Sequence, residues 1–260
     1  MKNYLDAAID AARIAGRIQM EGLGRKHEIS LKEAAELVTE VDLRCEKAVM
    51  ESIRDQYPDH TFLAEEGGEK NPGSDHIWFI DPLDGTTNYA HGYPRFCVSI
   101  ALSIKGSVVA GVVYSAVNDE MFTAIRGEGA FLNGEAVRVS ETGEVENSLI
   151  CTGFSYDKQK RMEDELGAFT RVLPLARAIR RDGCAALDLC YVACGRYDGY
   201  WELSLNPWDV AAGILLIEEA GGKVTDLKGE KPDLGGKKFL GTNKFIHARM
   251  LELLSRKDEQ

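Results

Sequence analysis

The spacing of apolar residues predicts that the chain opens with two helices. Residues 3–22 place apolar side chains three or four positions apart, which is the period of an amphipathic helix. The candidates for the buried face of this helix are Leu5, Ile9, Ala12 and Met20. A second helix is predicted from about Thr39 to Tyr57, because Pro58 cannot continue it.

Short apolar runs then predict a series of β-strands. They cover residues 61–64, 76–80, 96–104, 108–117 and 120–125. The last two runs are separated by Asn118-Asp119, which are typical turn residues. A further hairpin is predicted over residues 129–140, where Asn133-Gly134 is a strong signal for a tight turn. The first half of the chain therefore has an α+β pattern.

After about residue 147, predicted helices and strands alternate, as is typical of α/β structure. The helices are expected near residues 158–172, 184–194, 207–220 and 244–256. The strands are expected near residues 149–153, 198–203, 223–226 and 238–241. We therefore expect two layered sheets with helices between and outside them. The division would place an α+β subdomain at residues 1–147 and an α/β subdomain at residues 148–260.

The composition is that of an ordinary globular protein. Of the 260 residues, 44% are apolar and 28% are charged. The net charge is −11 and no basic stripe stands out, which disfavours binding to nucleic acid. No stretch approaches the roughly 20 apolar residues that span a bilayer, and the N-terminus lacks the apolar core of a signal peptide. We therefore expect a cytoplasmic protein with neither a membrane nor a nucleic acid as partner.

The cysteines offer one candidate metal pair. All six are scattered without a CxxC motif. Cys190 and Cys194 lie four residues apart in a predicted helix, so they are either a metal-binding pair or two thiols on a buried apolar face. Free cysteines are commonly buried in this way, and we favour the second interpretation.

The segment IDPLDGTTNY, residues 80–89, places two carboxylates three residues apart directly after an apolar strand. Asp, Pro and Gly are ordinary turn residues, so Asp81 and Asp84 could belong to a solvated turn. They could equally form a metal site, because neighbouring carboxylates repel each other unless a cation or a proton intervenes. Oxygen ligands without His or Cys favour Mg²⁺ over zinc. The Gly-Thr-Thr run that follows could begin a helix whose N–H groups bind a phosphate.

Two other stretches carry acidic residues in similar places. Glu65 follows an apolar strand and opens the segment 65–75, which is rich in turn residues and is interpreted as a mobile loop. Asp209 follows Asn206-Pro207 at the start of a predicted helix, where it could simply cap the helix or could also face a metal. Three acidic segment ends are more typical of one converging site than of three separate turns. A metal pair beside a phosphate cradle is the outline of a phosphoryl-transfer site.

Five stretches together resemble the inositol monophosphatase family. They are LVTEVD at 37–42, FLAEEGG at 62–68, IDPLDGTTNY at 80–89, GCAALDLCYVACGRYDGYWE at 183–202 and PWDVAAGILLIEEAGG at 207–222. The resemblance covers nearly the whole chain. It implies a layered αβαβα fold, Mg²⁺-dependent hydrolysis of phosphomonoesters, a homodimer and inhibition by lithium.

The resemblance also implies a set of metal ligands. They are Glu65, Asp81, the backbone carbonyl of Leu83, Asp84 and Asp209. The first three would hold one Mg²⁺, and the three aspartates would hold the second. Glu65 would also help to position a third, weakly bound ion.

The implied catalytic residues are Asp42, Glu65 and Thr86. Thr86, hydrogen-bonded to Asp42, would orient the attacking water, and no covalent enzyme intermediate is needed. From the residues alone, Asp42 is a first-turn acid of the helix that Thr39 caps. His91 is interpreted as a surface residue rather than a general acid.

The implied substrate contacts are Gly85, Thr86, Gly183, Cys184, Ala185, Glu202 and Asp209. The amides of Gly85 and Thr86 would bind the phosphate, and Glu202 would contact a ring hydroxyl. From the residues alone, Glu202 could be an exposed strand residue. Cys184 stands where the family commonly has a small hydroxyl residue, which weakens the case for strict inositol selectivity. Lys32 is left out of the site because its spacing to Asp42 is one residue short.

The leading hypothesis is a Mg²⁺-dependent enzyme that hydrolyses inositol-1-phosphate to inositol and phosphate. One alternative is a related phosphatase acting on fructose 1,6-bisphosphate, NADP or another small phosphate ester. The other is a regulatory binding protein with the same fold.

Overall fold

A computed structural model describes residues 1–25, 29–31, 37–67, 73–155, 158–235 and 238–255. Two features of the sequence analysis fall wholly or partly outside these ranges. Lys32 is not among the described residues, and neither is the middle of the predicted loop, residues 68–72.

The described helices agree closely with the predicted ones. They are α1 (Lys2–Gly22), α2 (Glu40–Arg54), α3 (Thr86–Ala90), α4 (Lys158–Val172), α5 (Ala185–Ala193), α6 (Pro207–Glu219) and α7 (His247–Ser255), with a short 3-10 helix at Val145–Asn147. Thr39 caps α2 as expected, and its hydroxyl accepts a hydrogen bond from the Val41 N–H at 3.2 Å.

The described strands fall into three sheets. Before residue 140 they are β1 (Ile29–Leu31), β2 (Leu37–Thr39), β3 (Thr61–Ala64), β4 (His76–Asp84), β5 (Cys97–Ile104), β6 (Ser107–Ser115), β7 (Glu120–Ile125), β8 (Gly129–Leu132) and β9 (Glu135–Ala136). After it they are β10 (Leu149–Thr152), β11 (Ala178–Arg180), β12 (Gly199–Glu202), β13 (Lys223–Thr225) and β14 (Phe239–Thr242).

Among the described residues, the larger sheet has seven strands in chain order, β3 to β9. β3 is parallel to β4, and the later neighbours are antiparallel. The smaller sheet has the order β11-β10-β12-β14-β13, in which β10 is parallel to both of its neighbours. β1 and β2 form a separate antiparallel pair. The turn between β8 and β9 lies at Asn133-Gly134, where both residues have positive φ, as predicted.

The helices and sheets form five layers, and three apolar cores lie between them. One core lies between α1 and α2 and one face of the larger sheet. The second packs α5 and α6 between the two sheets. The third lies between the smaller sheet and the helices α4 and α7. The expected αβαβα arrangement is therefore confirmed, while the division into two subdomains stays a prediction.

Several details differ from the expectations. The buried face of α1 is made mainly of small residues, and Met20 is 42% exposed. Close packing requires this, since a Cβ at Gly16 would lie 2.5 Å from the Tyr114 ring. β4 runs to Asp84 instead of ending near Ile80. The strands β1, β2 and β11, of three residues each, were not predicted.

No helix in the described part of the chain is both long enough and apolar enough to cross a membrane.

Candidate active site

Two adjacent strands carry acidic residues to the same edge of the larger sheet. β3 and β4 pair Ala64 with Ile80, and the Glu65 N–H donates to the Ile80 carbonyl at 3.2 Å. Glu65 and Asp81 therefore follow paired positions on neighbouring strands. Because side chains alternate along a strand, Asp81 shares the face of Phe79, which packs into the core with α6.

The irregular end of β4 brings Asp84 into the same group. The register of β4 against β5 shifts between Asp81 and Asp84, and Asp81 Oδ1 accepts a hydrogen bond from the Leu83 N–H at 3.0 Å. Burial raises the pKa of Asp81 well above its usual range, and the charges of Glu65, Asp84 and Asp209 raise it further. These acidic side chains on separate segments therefore lie close enough to interact.

Asp209 is both a helix cap and a member of this acidic group. Its Oδ2 accepts from the Asn206 N–H at 2.7 Å, and Pro207 is the first residue of α6, so the predicted cap is confirmed. Burial raises the pKa of Asp209 well above its usual range, and Asp84 and Glu65 add to the effect. The cap leaves Asp209 electrostatically coupled to the other acids.

Asp42 likewise has two roles, one through each carboxylate oxygen. Oδ2 accepts from the Thr39 N–H at 2.9 Å and from the Thr39 hydroxyl at 2.5 Å, which completes the capping box of α2. Oδ1 accepts from the Thr86 hydroxyl at 2.9 Å. That hydroxyl also lies 3.0 Å from the Leu83 carbonyl, so its single proton has two possible acceptors. The hydrogen bond between Asp42 and Thr86 that the family resemblance implies is present.

α3 begins at a tight approach of two backbone segments. Gly85 has a φ of +93°, and a Cβ there would lie 2.8 Å from the Arg95 carbonyl oxygen. The Asn88 side-chain amide donates to the carbonyls of Arg95 and Asp182 at 2.8 Å, and to that of Gly183 at 3.2 Å. This amide fixes α3 to the segment that leads into α5.

The segment Gly183–Ala185 lies directly against Asp84. The Ala186 N–H, at the start of α5, donates to Asp84 Oδ2 at 2.6 Å. The Cys184 Sγ lies 3.4 Å from the Asp84 carbonyl oxygen. Gly183 has a φ of +75°, which favours glycine. The structure therefore brings the three predicted ring-contact residues next to the acidic group.

Glu202 is buried, so its interpretation as an exposed strand residue is wrong. Its side chain accepts a short hydrogen bond from the Tyr200 hydroxyl. A Cβ at Gly153 would lie 1.9 Å from Glu202 Oε2, so only glycine leaves room for this carboxylate. Burial raises the pKa of Glu202 to about 8. Sequence reasoning missed this because the burial depends on partners outside its own strand.

Two other interpretations can be placed on the structure. His91 is exposed at the end of α3, as expected for a surface residue. Cys190 is buried in the core between the two sheets, in agreement with the favoured apolar interpretation. Among the described residues, groups of three His, Cys, Asp or Glu side chains whose ligand atoms all lie within 4.8 Å of one another occur at two places, neither of which includes Cys190 or Cys194. They are Asp84, Cys97 and Cys184, and Cys151, Asp182 and Asp188.

The sequence matches the model of the inositol monophosphatase family over residues 1–259. This chain belongs to the inositol monophosphatase family. A protein named inositol-1-monophosphatase from Synechocystis sp. is 42% identical over 98% of this chain and 90% of its own length. Nus factor SuhB of Pseudomonas aeruginosa is 45% identical over 88% of this chain and 87% of its own length.

A solved structure also matches the fold. The crystal structure of extragenic suppressor protein suhB from Bartonella henselae has a TM-score of 0.94 and 40% identity to this chain. The match covers 98% of this chain and 99% of that one. The inositol monophosphatase family is a family of metal-dependent phosphatases, which agrees with an acidic group at the edge of a sheet.

The residues of this family member fit a hard divalent cation. Glu65, Asp81, Asp84 and Asp209 supply carboxylate oxygens, which Mg²⁺ prefers. Burial raises the pKa of all three aspartates, and their mutual repulsion adds to it for Asp81 and Asp209. A bound cation would replace that repulsion by attraction.

The sequence analysis missed a cationic group beside this site. Arg95 lies 2.5 Å from Asp188 and 3.3 Å from Asp182, and it stacks on the Tyr191 ring with its Cζ 4.2 Å from the centroid. The Tyr197 hydroxyl donates to Asp182. The available signal was Asp188 itself, a single acid within an otherwise apolar helix, which requires a buried partner.

Proposed function

We propose that this member of the inositol monophosphatase family is a Mg²⁺-dependent phosphomonoesterase that hydrolyses inositol-1-phosphate. The observation that carries the proposal is the electrostatic coupling of Asp81 to Glu65, Asp84 and Asp209, next to the hydrogen bond between Thr86 and Asp42. Four carboxylates grouped around a buried aspartate, the other three half-buried, are costly without a cation, which favours a metal site over a binding surface.

The residues that would hold Mg²⁺ are Glu65, Asp81, the Leu83 carbonyl, Asp84 and Asp209. When bound, Mg²⁺ lowers the pKa of a ligated water and neutralises the charge that develops on the leaving oxygen. The fully oxygen-based ligand set supports Mg²⁺ over zinc.

Thr86 would orient the attacking water through its hydroxyl oxygen. The hydroxyl has one proton, and the Leu83 carbonyl and Asp42 Oδ1 lie at similar distances from it. If the Leu83 carbonyl is a ligand of the metal, the Thr86 hydroxyl donates its hydrogen bond to Asp42. The Thr86 oxygen then has lone pairs free to accept a hydrogen bond from the water. Asp42 is thus a positioning residue, held in turn by Thr39.

The phosphate would be bound by the amides of Gly85 and Thr86. α3 has five residues, so its dipole is small, and we expect the N–H groups themselves to supply most of the attraction. The ring would lie against Gly183, Cys184 and Ala185. Glu202 would accept a hydrogen bond from a ring hydroxyl, on the opposite side of its carboxyl group from Tyr200.

The test is phosphate release from a panel of esters with and without Mg²⁺ and Li⁺. The panel contains inositol-1-phosphate, fructose 1,6-bisphosphate, NADP and adenosine 3′,5′-bisphosphate. We expect the highest kcat/KM for inositol-1-phosphate, full dependence on Mg²⁺ and inhibition by Li⁺. Faster turnover of another ester would keep the site and change the substrate. No turnover of any ester by folded protein with Mg²⁺ would contradict the proposal.

A second candidate comes from the relatives named Nus factor SuhB, which are 44% and 45% identical to this chain. We propose as the second candidate that this chain acts as a Nus factor, a role that requires a macromolecular partner. This role would either replace catalysis or be added to it. Asp84→Asn separates these functions, because an enzyme would lose turnover whereas a Nus factor need not lose its partner. We also propose a homodimer, which sedimentation of the full chain would test.

A further inference from the structure

Two cysteine thiols meet each other and Asp84 behind the proposed magnesium site. The sulfur atoms of Cys97 and Cys184 are 3.5 Å apart. The Cys97 Sγ lies 3.9 Å from Asp84 Oδ2, and the Cys184 Sγ lies 3.4 Å from the Asp84 carbonyl oxygen. Both cysteines are at most 1% exposed. The two sulfurs and one carboxylate oxygen all lie within 4.8 Å of one another.

These spacings are close to the edges of a tetrahedral zinc site. With Zn–S near 2.3 Å and Zn–O near 2.0 Å, two sulfur ligands are about 3.8 Å apart, and a sulfur and an oxygen about 3.5 Å apart. The corresponding separations here are 3.5 Å and 3.9 Å. The separation of the two sulfurs and that of Cys97 Sγ from Asp84 Oδ2 therefore lie within a few tenths of an ångström of these edges, and the third pair of ligand atoms lies within 4.8 Å. Thiolate ligands select zinc or cadmium over magnesium.

The three donors stand on rigid elements. Cys97 is the first residue of β5 and pairs directly with Asp84 at the end of β4. Cys184 is the residue that precedes α5, and the Ala186 N–H in the first turn of that helix already holds Asp84 Oδ2. Donors fixed in this way lose little conformational freedom when an ion binds.

The other candidate group in the described chain has similar donors but already contains a cation. Cys151 lies 3.3 Å from Asp188, and Asp182 completes the group. The guanidinium of Arg95 lies against both aspartates. A second positive charge is therefore disfavoured there by repulsion. Asp84 instead accepts hydrogen bonds from peptide N–H groups and from the Cys184 thiol, and the charge of Arg95 has a smaller effect on its pKa than these bonds do.

We propose that Cys97, Cys184 and Asp84 form a site for a thiophilic divalent cation such as zinc or cadmium. Binding converts two S–H groups into two metal–sulfur bonds and releases two protons to solvent, with no change in oxidation state. An ion bound at this site also takes the Asp84 carboxylate as a ligand, so that Asp84 is no longer available to the proposed magnesium site. This inhibition rests on the function proposed above, whereas the binding itself does not.

Titration of the full chain with Cd²⁺, kept reduced by a phosphine, tests the binding. The readout is the ultraviolet charge-transfer band of cadmium thiolates, compared among wild type, Cys97→Ser, Cys184→Ser and the matched control Cys151→Ser. We expect one tight Cd²⁺ per wild-type chain, and Kd at least about tenfold weaker in the first two variants, the usual effect of losing a ligand. Cys151→Ser should bind as wild type does. Equal binding by all four proteins, or loss confined to Cys151→Ser, would overturn the site.

Two further measurements keep the proposal testable if a variant folds poorly. Cadmium-113 NMR of the wild-type chain reports the number of sulfur ligands directly, and a spectrum of oxygen ligands alone contradicts the proposal. Phosphate release is then measured with rising Zn²⁺, relative to the zinc-free rate of each protein. We expect Cys97→Ser to need at least about tenfold more Zn²⁺ for half inhibition than Cys151→Ser. Equal Zn²⁺ sensitivity would overturn the inhibitory role, and absence of all turnover would overturn the proposed function while the Cd²⁺ result stands.

Discussion

In the described part of the chain, two acidic groups, each built around a buried aspartate, differ in how their charge is balanced. At Asp188 and Asp182, the guanidinium of Arg95 supplies a permanent positive charge at 2.5 Å and 3.3 Å. At Asp81, by contrast, the nearest charges are those of Glu65, Asp84 and Asp209. Burial raises the pKa in both places, but Arg95 opposes this effect at Asp188, whereas the neighbours reinforce it at Asp81. Among the described residues, the first group is therefore paired with a cation of the chain itself, whereas the second is the group to which we assign the proposed metal ion.

We interpret this difference, in a chain of net charge −11, as a division between a structural acidic group, which is paired with Arg95, and a functional group, which is the proposed metal site. In the structural group, the cation is the guanidinium of Arg95, which is stacked on the Tyr191 ring. The functional group instead collects carboxylates from the ends of β3 and β4 and the first turn of α6. Substitutions that change charge should therefore affect the two groups in opposite ways.

The largest effect is expected for Asp84→Asn. Losing one carboxylate from the proposed metal site removes several kcal/mol of transition-state stabilisation, so kcat/KM should fall by about a thousandfold or more. The metal-free variant should melt about 2–4 °C higher, because roughly 1 kcal/mol of repulsion is relieved in a chain of this size. Phosphate release and calorimetry measure the two effects. Retained turnover, or a lower Tm without metal, would contradict the proposed role of this group.

The second largest effect is expected for Arg95→Met. Removing one partner from a buried ion pair costs about 3–5 kcal/mol, because Asp188 remains buried without its cation. The matched control is Arg126→Met, which breaks the more exposed pair with Glu218 and should cost about 1 kcal/mol or less. Denaturant unfolding with and without Mg²⁺ measures both. Mg²⁺ should raise the free energy of unfolding by the same amount in Arg95→Met as in wild type. If Mg²⁺ instead restored the stability that Arg95→Met loses, the two groups would share one cation.

The contrast between these groups also marks the limit of what the sequence could predict. Asp81, Asp84 and Asp209 were found because each stands in a motif at the end of a strand or the start of a helix. Asp209 lies far from the other two along the chain, and it is the family resemblance of the motifs that joins them. The pairing of Arg95 with Asp188 joins positions 93 residues apart and has no local signature.

The same reasoning explains the smaller errors in the fold. Long periodic segments such as α2 and α6 were predicted within a few residues. On α1, the burial of Ala12 was predicted, but the rest of the alanine face was not, because its burial is decided by the close approach of Tyr114 to Gly16. The alternative interpretation of Glu202 as an exposed strand residue failed for a similar reason, since the room for its carboxylate is made by Gly153 on another segment.

A third and smaller effect concerns pH. The pKa of Glu202 is raised from an ordinary value of 4.5 to about 8, so the folded state binds a proton that the unfolded state has lost between these values. Metal-free stability should therefore be highest at or below about pH 4.5 for this group, and should fall as pH rises towards 8. We expect the fall in the free energy of unfolding between pH 5 and pH 8 to be smaller in Glu202→Gln by more than about 1 kcal/mol, the equivalent of one pKa unit. Urea unfolding at pH 5 and pH 8 tests this, and an unchanged pH slope in the variant would assign the fall to the aspartates instead.

The smallest effect is expected for His91→Ala, which lies outside both acidic groups. His91 is exposed at the end of α3, and the substitution keeps the hydrogen bonds that its backbone N–H donates to the carbonyls of Thr87 and Asn88. The matched change on the same helix is Asn88→Ala, which removes the amide that binds three carbonyls, including that of Gly183. We expect kcat to stay near the wild-type value for His91→Ala and to fall clearly for Asn88→Ala. General acids contribute on the scale of roughly a hundredfold, so a larger loss of kcat in His91→Ala would instead identify His91 as a general acid. The metal alone would then not account for departure of the leaving group.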